Sequence, residues 1–474
     1  MLVPKKLSFP VVSMPPALRR AIPYLFGLLF LLAAALRVYL YPVRTSDYTF
    51  FVSNWYDYIQ AHGGFAALRD SFSNYNVPYL YLLAGLTYLP IPKLVAVKTL
   101  SVVFDGVLGL FTYLLIRQKY RQSYAAIAGV LVVLLAPTIV INSSAWGQCD
   151  AIYTSFCLGS LYFLIKRQPV WACIFFGLAF SFKLQAVFFL PVLLVALLKR
   201  SIAWQHLLLV PLVFLLLLVP AFIAGRSAES LLSIYAGQAT TGGVGGAERA
   251  GGAGVGFGNG QFGRAGSRTG TPATSGGTGT GSINGRGAGR FPTSGTRQFN
   301  GSTSSSSSSL TLNAPSVYQW FPAGTATSWK WFGIILAGVF VVCIGGLVIA
   351  SKRVPTADMF VKLTLVFALG IPFLLPEMHE RYFYLADVIS VVYAFYAPRH
   401  FYVPILVQLC SLLSYAPYLL NTQIVNLAYV AVIIFLLTLV VTADLVVALY
   451  PDQFKRLPVT PEQDEDAVNV VSRA

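Results

Sequence analysis

The stretch AWQHLLLVPLVFLLLLVPAFIA, residues 203–224, decides the class of fold. From Leu207 to Ala224 it carries no charge. As a helix that run would be about 27 Å long, close to the roughly 30 Å hydrocarbon core of a bilayer. Runs of the same character recur along the chain. With this one they cover 21–40, 98–116, 124–141, 151–165, 170–182, 186–198, 203–224, 331–350, 357–375, 385–397, 401–418 and 424–449. The composition agrees: of 474 residues, 56% are hydrophobic and 11% charged, and the mean hydropathy is +0.69. A soluble domain averages roughly 25% charged residues. A cytosolic enzyme, a disordered chain and a secreted disulfide scaffold are excluded. The expectation is an all-α polytopic membrane protein with about 12 transmembrane helices.

The net charge of +16 then becomes a question of sidedness. Lys5, Lys6, Arg19 and Arg20 precede the first run, which is long for the apolar part of a signal peptide and reads as an uncleaved helix. Further basic clusters fall between runs: Arg117-Lys119-Arg121, Lys166-Arg167, Lys199-Arg200, Lys352-Arg353, Arg399-His400 and Lys455-Arg456. Placing them all in the cytoplasm pairs the spans and puts both termini inside. The apolar piece 78–92, with Pro78, Pro90 and Pro92, then has to be an outer-face or re-entrant segment. The expected organisation is a cytoplasmic N-terminus (1–20), a first membrane module (21–224) with an outer segment at 41–77, and an outer segment at 225–330. A second membrane module (331–450) and an acidic cytoplasmic tail (451–474) follow. The 225–330 segment is rich in Gly, Ser and Thr, with an unbroken serine run from Ser304 to Ser309. It lacks the apolar side chains to offset its ordering entropy and is expected to be disordered. Its arginines sit on the outer side in this topology, so nucleic acid is not an expected partner. The five cysteines (Cys149, Cys157, Cys173, Cys343 and Cys410) have no metal-ligand spacing and read mostly as small buried residues.

Ionisable groups near membrane depth are costly and are therefore functional candidates. Asp47, in RTSDYTFF just after the first run, reads either as a general base at a partly dry rim or as a surface or helix-capping acid. Asp57 is a weaker second candidate, and Asp70 beside Arg69 reads as a solvated turn. Glu377, His379, Glu380 and Arg381 are compressed into PEMHERYFY, 376–384. An arginine with a histidine suits a phosphate, the one by its bidentate fork, the other by a charge tunable near neutral pH. A metal site would call for more His or Cys. Lys183 and Gln185 lie where two short runs meet, and Asp105 is a plausible partner for the lysine. Asp150 closes NSSAWGQCD, 142–150, where Trp146 is either a face for a sugar ring or an interface anchor, and Gln148 offers amide hydrogen bonds. The topology places all these segments on the outer face. No Walker or GxGxxG loop is present. The phosphate-bearing substrate is thus expected to be lipid-linked.

WGQCDAIYT at 146–154, FKLQAVFFLP at 182–191 and HERYFY at 379–384, following the aspartate segment, resemble motifs of bacterial membrane mannosyltransferases related to GPI mannosyltransferase II. These belong to the GT-C superfamily of glycosyltransferases that use polyprenyl-phosphate sugars. The resemblance implies a GT-C-like bundle with an outer-face catalytic cavity in a bacterial plasma membrane. It implies inverting transfer of a hexose, mannose favoured, to an acceptor hydroxyl on a glycan, glycolipid or protein. Asp47 would be the general base. His379, Arg381 and Lys183 would hold the donor phosphate, and Glu380, Gln185, Trp146, Gln148 and Asp150 would line the substrate sites. No cofactor is required by this reading, and with a single Asp47 rather than an acidic pair a divalent cation stays open. A transporter or flippase of lipid-linked sugars is the main alternative, although no internal repeat of the kind transporters carry is visible. A non-catalytic scaffold built around the glycine-rich segment is the third.

Overall fold

The computed structural model describes residues 16–120, 123–240, 310–322 and 328–453. Every one of the twelve apolar runs is helical. In chain order the helices are α1 (Pro16–Leu40), α2 (Ser53–Ala61), α3 (Val77–Leu86), α4 (Lys93–Lys119), α5 (Ser123–Leu135), α6 (Pro137–Val140), α7 (Asp150–Ile165), α8 (Pro169–Phe182) and α9 (Leu190–Leu198). They continue with α10 (Trp204–Leu207), α11 (Leu209–Ile223), α12 (Ala228–Thr240), α13 (Ser328–Ala350), α14 (Ala357–Leu374), α15 (Tyr384–Tyr396), α16 (Tyr402–Leu419) and α17 (Leu427–Leu449). Among the described residues seven helical stretches are long and apolar enough to cross a membrane, and the bent pair formed by α5 and α6 with the turn after them is an eighth when taken as one broken span. α7, α8 and the piece around α9 are shorter apolar helices. At 1.5 Å per residue, α15 with 13 residues and α7 with 16 reach only about 20–24 Å, so each covers part of a bilayer. α3 has ten residues and cannot span one, as expected for 78–92.

Proline and capping side chains punctuate the bundle. Asn76 accepts a hydrogen bond from the Val77 amide at the start of α3 (3.0 Å). Thr356 does the same for Met359 in α14 (3.2 Å), and Asn426 for Ala428 in α17 (2.9 Å). Pro137 breaks the third run and bends it by 52°. The chain beyond it widens into a π-turn, Ile141–Trp146, which ends at Gly147 with φ +73°. A left-handed residue there lets the Gln148 amide reach back to the Asn142 carbonyl (3.0 Å), and glycine adopts that conformation without strain. This break aims the WGQ segment.

α14 is buried along nearly its whole length, packing against α13, α15 and α17, and its one buried cation, Lys362, is paired with Asp358 and Asp444. α7 packs against α8 and α4. α1, α11 and α13 instead present Leu31, Leu215, Ile335 and Val342 outward, the side expected to meet lipid. A second apolar cluster joins Tyr48, Trp55 and Ile59 of the 41–77 segment to Leu80 and Leu83 of α3 and to Leu218 of α11. The 41–77 segment is therefore docked onto the bundle, through a π-turn at Tyr48–Val52, α2 and a 3-10 turn at Gly64–Arg69.

The 225–330 expectation is corrected at both edges. At one edge, α12 is tied down by hydrogen bonds from Tyr235 to the Phe180 carbonyl and from Gln238 to the Asn74 carbonyl. At the other, the two-residue strand β1 (Thr311–Leu312) pairs in parallel with β2 (Met378–His379), and the Glu377 amide bonds the Leu310 carbonyl at 2.7 Å. These edges carry Leu231, Tyr235, Leu310 and Tyr318, enough apolar surface to pack. Residues 241–309, which hold the glycine- and serine-rich stretch, lie outside the described residues, as do 1–15 and 454–474.

Candidate active site

One stripe of α4 builds the foundation. Lys98, Ser101 and Asp105 lie one and two turns apart on a single face. Lys98 Nζ donates to the carbonyls of Leu40, Tyr41 and Val43 (3.2, 2.9 and 2.6 Å), closing the end of α1 and setting the chain that follows. Ser101 Oγ donates to the Gln148 carbonyl (2.7 Å). Asp105 accepts from Arg37 Nε (3.0 Å) and Nη2 (2.8 Å) and from Ser143 Oγ (2.7 Å). Arg37 and Asp105 are both buried. Asp105 is thus the partner of Arg37, and the expected pairing with Lys183 is corrected. Arg37 closes the first apolar run among hydrophobic neighbours and gives no local sign of its partner 68 residues away.

On this foundation Asp47 meets the other motifs. Its Oδ2 accepts from Trp146 Nε1 (3.0 Å) and Gln148 Nε2 (2.7 Å), and Arg381 Nη2 lies 3.3 Å away. Its Oδ1 accepts from the Tyr418 hydroxyl at 2.6 Å. The Asp47 amide in turn donates to the same hydroxyl oxygen (3.0 Å). Arg381 is shared. Its Nη1 donates to Gln148 Oε1 (2.6 Å) and lies 3.7 Å from Asp150 Oδ2, while its Nε is 3.4 Å from Glu380 Oε1. Asp150 also accepts from Asn142 Nδ2 (2.9 Å) and is ion-paired to Lys183. The Lys183 ammonium lies 6.0 and 5.9 Å from the ring centroids of Tyr75 and Tyr153. Asp47, Trp146, Gln148, Asp150, Lys183, Glu380 and Arg381 therefore form one contiguous network. Gln185 stands beside Tyr382 on the 3-10 turn after α8, with Oε1 buried and unbonded among the described residues.

Two expectations change here. Trp146 is neither an interface anchor nor an open platform for a sugar. It is fully buried, with Tyr418 stacked on it (centroids 4.8 Å apart, planes at 14°) and the Arg381 guanidinium 5.0 Å from its ring centroid. It serves as a donor to Asp47 and a shelf for Arg381. His379 does not carry a charge near neutral pH. Burial, reinforced by the Arg381 charge, lowers its pKa from the ordinary 6.5 to about 4. Burial pushes the Glu380 carboxyl up, against the pull of Arg381. Burial also works against the Arg381 charge, but Asp47, Asp150 and Glu380 outweigh it and hold the guanidinium ionised.

The remaining candidates lie outside the network. Asp57 pairs with Lys93 at 2.6 Å in an exposed position. Asp70 accepts from Tyr58 (2.9 Å) and sits 3.6 Å from Arg69. Glu377 pairs with Lys330 at 2.7 Å, tying the start of α13 to the turn before β2. No three His, Cys, Asp or Glu side chains converge as a metal-binding group among the described residues. Sequence reasoning missed Tyr418, Asn142, Tyr75 and Tyr153. Asn142 lay inside a segment already singled out, while a tyrosine near a helix end, such as Tyr418, reads from sequence as an ordinary interfacial anchor.

A polytopic helical bundle that gathers these motif residues at one end has the build of a membrane glycosyltransferase. The family model of glycosyltransferase family 87, a GT-C-type membrane family, matches residues 72–251. That interval takes in Trp146, Gln148, Asp150, Lys183 and Gln185; Asp47 and Arg381 fall outside it. The match agrees with the GT-C resemblance and indicates an integral-membrane glycosyltransferase acting on a sugar donor and an acceptor. No curated protein shows significant similarity to the chain.

Proposed function

We propose that the chain transfers a hexose, mannose favoured, from a polyprenyl-phosphate-linked donor to an acceptor hydroxyl on the extracytoplasmic face, with inversion at the anomeric carbon. Asp47 is the general base. The observation that carries this reading is the meeting of Asp47 with Arg381, 334 positions later in the chain, inside one part-buried network. In the transfer, the acceptor oxygen attacks the anomeric carbon as its proton passes to Asp47, and the sugar–phosphate bond breaks, leaving polyprenyl phosphate. Arg381 and Lys183 stabilise the charge that develops on that phosphate. His379 adds a neutral N–H donor. Both cations are engaged by carboxylates in this arrangement, so the donor phosphate competes with Asp47 and Asp150 for them. Tyr418 holds Asp47 in orientation and is a positioning residue.

Loss of a general base costs about 100-fold to 10,000-fold in rate. Asp47→Asn is expected to lose turnover by that factor with donor binding and thermal stability retained, measured with radiolabelled polyprenyl-phosphate mannose, glucose and pentose donors on the purified protein. Full activity of the variant would overturn the base assignment, and transfer from the glucose donor alone would overturn mannose.

A further inference from the structure

Arg226, on the short link between α11 and α12, is a buried cation without a counter-ion among the described residues. It is 2% exposed. Its Nε donates to Ser230 Oγ (3.1 Å) and its Nη2 to Ser71 Oγ (3.1 Å). Its Nη1 is buried and has no hydrogen-bond partner among the described residues. No carboxylate of the described residues forms an ion pair with it, and Tyr81 and Asp70 favour its charged form less than burial disfavours it. Taking a guanidinium out of water costs several kcal/mol unless an opposite charge compensates. Burial accordingly pulls the Arg226 pKa down, a sign that the compensation is incomplete.

The surroundings are those of an oxyanion cradle. Ser227 Oγ accepts from the Ser230 amide (3.3 Å), which places Arg226 directly before the first turn of α12, a helix of thirteen residues. The amides of such a turn have no intrahelical acceptor and carry the positive end of the helix dipole. Ser71 Oγ accepts from Arg226 and from Ser230 Oγ (3.4 Å). A serine that accepts from a cation keeps its own hydroxyl hydrogen to donate, so Ser71 adds an O–H beside the guanidinium. The Arg69 stem lies close by, against Gly225. Glu229 is the opposing charge in the first turn, and it is exposed. Immediately before the cradle, Phe222 and Ile223 at the end of α11 are exposed, which sets the site at the boundary between lipid-facing and polar surface.

We propose that Arg226 and Ser71, oriented by Ser230, bind a phosphate oxyanion, namely the headgroup phosphate of a membrane lipid packed against Phe222 and Ile223. The site lies at the same end of the bundle as the candidate active site, because the loop that carries Ser71 continues to Tyr75 beside Lys183. It does not depend on the catalytic assignment.

Native mass spectrometry of the full chain in detergent tests it, with three probes: phosphatidylglycerol, a phosphate-free diglucosyl diacylglycerol, and inorganic phosphate. Phosphatidylglycerol is expected to be retained, the glycolipid lost, and phosphatidylglycerol affinity reduced about tenfold or more in Arg226→Gln. Arg226→Lys and Ser71→Ala are expected to weaken it less, and they carry the test if Arg226→Gln does not fold. Unchanged phosphatidylglycerol affinity in the folded Arg226→Gln variant, or in both milder variants, would overturn the site. Equal retention of the glycolipid would overturn phosphate as the recognised group. Binding of inorganic phosphate with no phosphatidylglycerol retained would overturn the lipid assignment.

Discussion

Arg37, buried, and Arg381, half-buried, each face an aspartate of another segment, and they are held in opposite ways. Arg37 puts Nε and Nη2 on a single oxygen of Asp105, at 3.0 and 2.8 Å, and uses Nη1 on the carbonyls of Ala33 (3.0 Å) and Leu134 (2.7 Å). Its donors are consumed by protein, which makes it a clamp joining α1, α4 and α5. Arg381 spreads its charge over Asp47, Asp150 and Glu380 at 3.3, 3.7 and 3.4 Å, with one short bond to Gln148. No carboxylate holds it bidentately at short range, so a phosphate has less to displace. The same residue pair serves as a structural lock where it is closed, and as a candidate binding group where it is divided.

The contrast breaks most visibly at the lock. Removing one partner of a buried pair costs about 3–5 kcal/mol because a charge is stranded. Arg37→Met is therefore expected to cause a large fall in thermal stability, read by fluorescence unfolding in detergent, and an unchanged midpoint would show that the pair is not a lock. Arg381→Gln is expected to act the other way, raising the donor Kd by about 30-fold or more, from the 2 kcal/mol or more that a buried charge contact is worth, with a smaller change in midpoint. A donor titration that matches the unaltered protein would remove its phosphate role. Tyr418→Phe deletes both hydrogen bonds between its hydroxyl and Asp47, each worth about 1 kcal/mol, and is expected to lower kcat several-fold with KM little changed. An increase in KM alone would make Tyr418 a substrate contact rather than a positioning residue. At neutral pH the smallest effect belongs to His379. With a folded pKa of about 4 against the ordinary 6.5, the unfolded chain binds the proton first as pH falls. Stability is then independent of this group above 6.5 and declines from there towards 4. His379→Gln should flatten that decline, and an identical pH–stability curve would show that His379 is not held neutral.

Much of this was legible beforehand because it is local. The twelve apolar runs became helices, since a long apolar segment must satisfy its own backbone hydrogen bonds wherever it is buried. The motif residues were legible as types: an aspartate after the first run, an arginine in a compressed charged turn, a lysine between two short runs. Their partners were not. Asp105 looked like a counter-ion for Lys183, yet Lys183 pairs with Asp150 and Asp105 with Arg37, because helix packing decides which carboxylate reaches which cation. The open aromatic face read into Trp146 was lost for the same reason: Tyr418 covers one side of the indole, and Arg381 lies over the ring. His379 looked titratable near neutral pH because a free imidazole is, and burial beside Arg381 removes that property. The 225–330 segment was judged by its average composition, which hid the few apolar side chains that anchor its edges.

Hydrophobicity and chain length, read along the sequence, determined a polytopic helical membrane protein and the positions of its helices, because bilayer insertion depends on the apolar content of each segment taken singly. Only the tertiary structure decided that Asp47 and Tyr418, 371 residues apart, share a hydrogen bond, and that Arg381 is divided among three carboxylates. Such contacts depend on the relative placement of whole helices. That placement comes from packing summed over the α4, α7 and α14 interfaces and leaves no trace in any one segment.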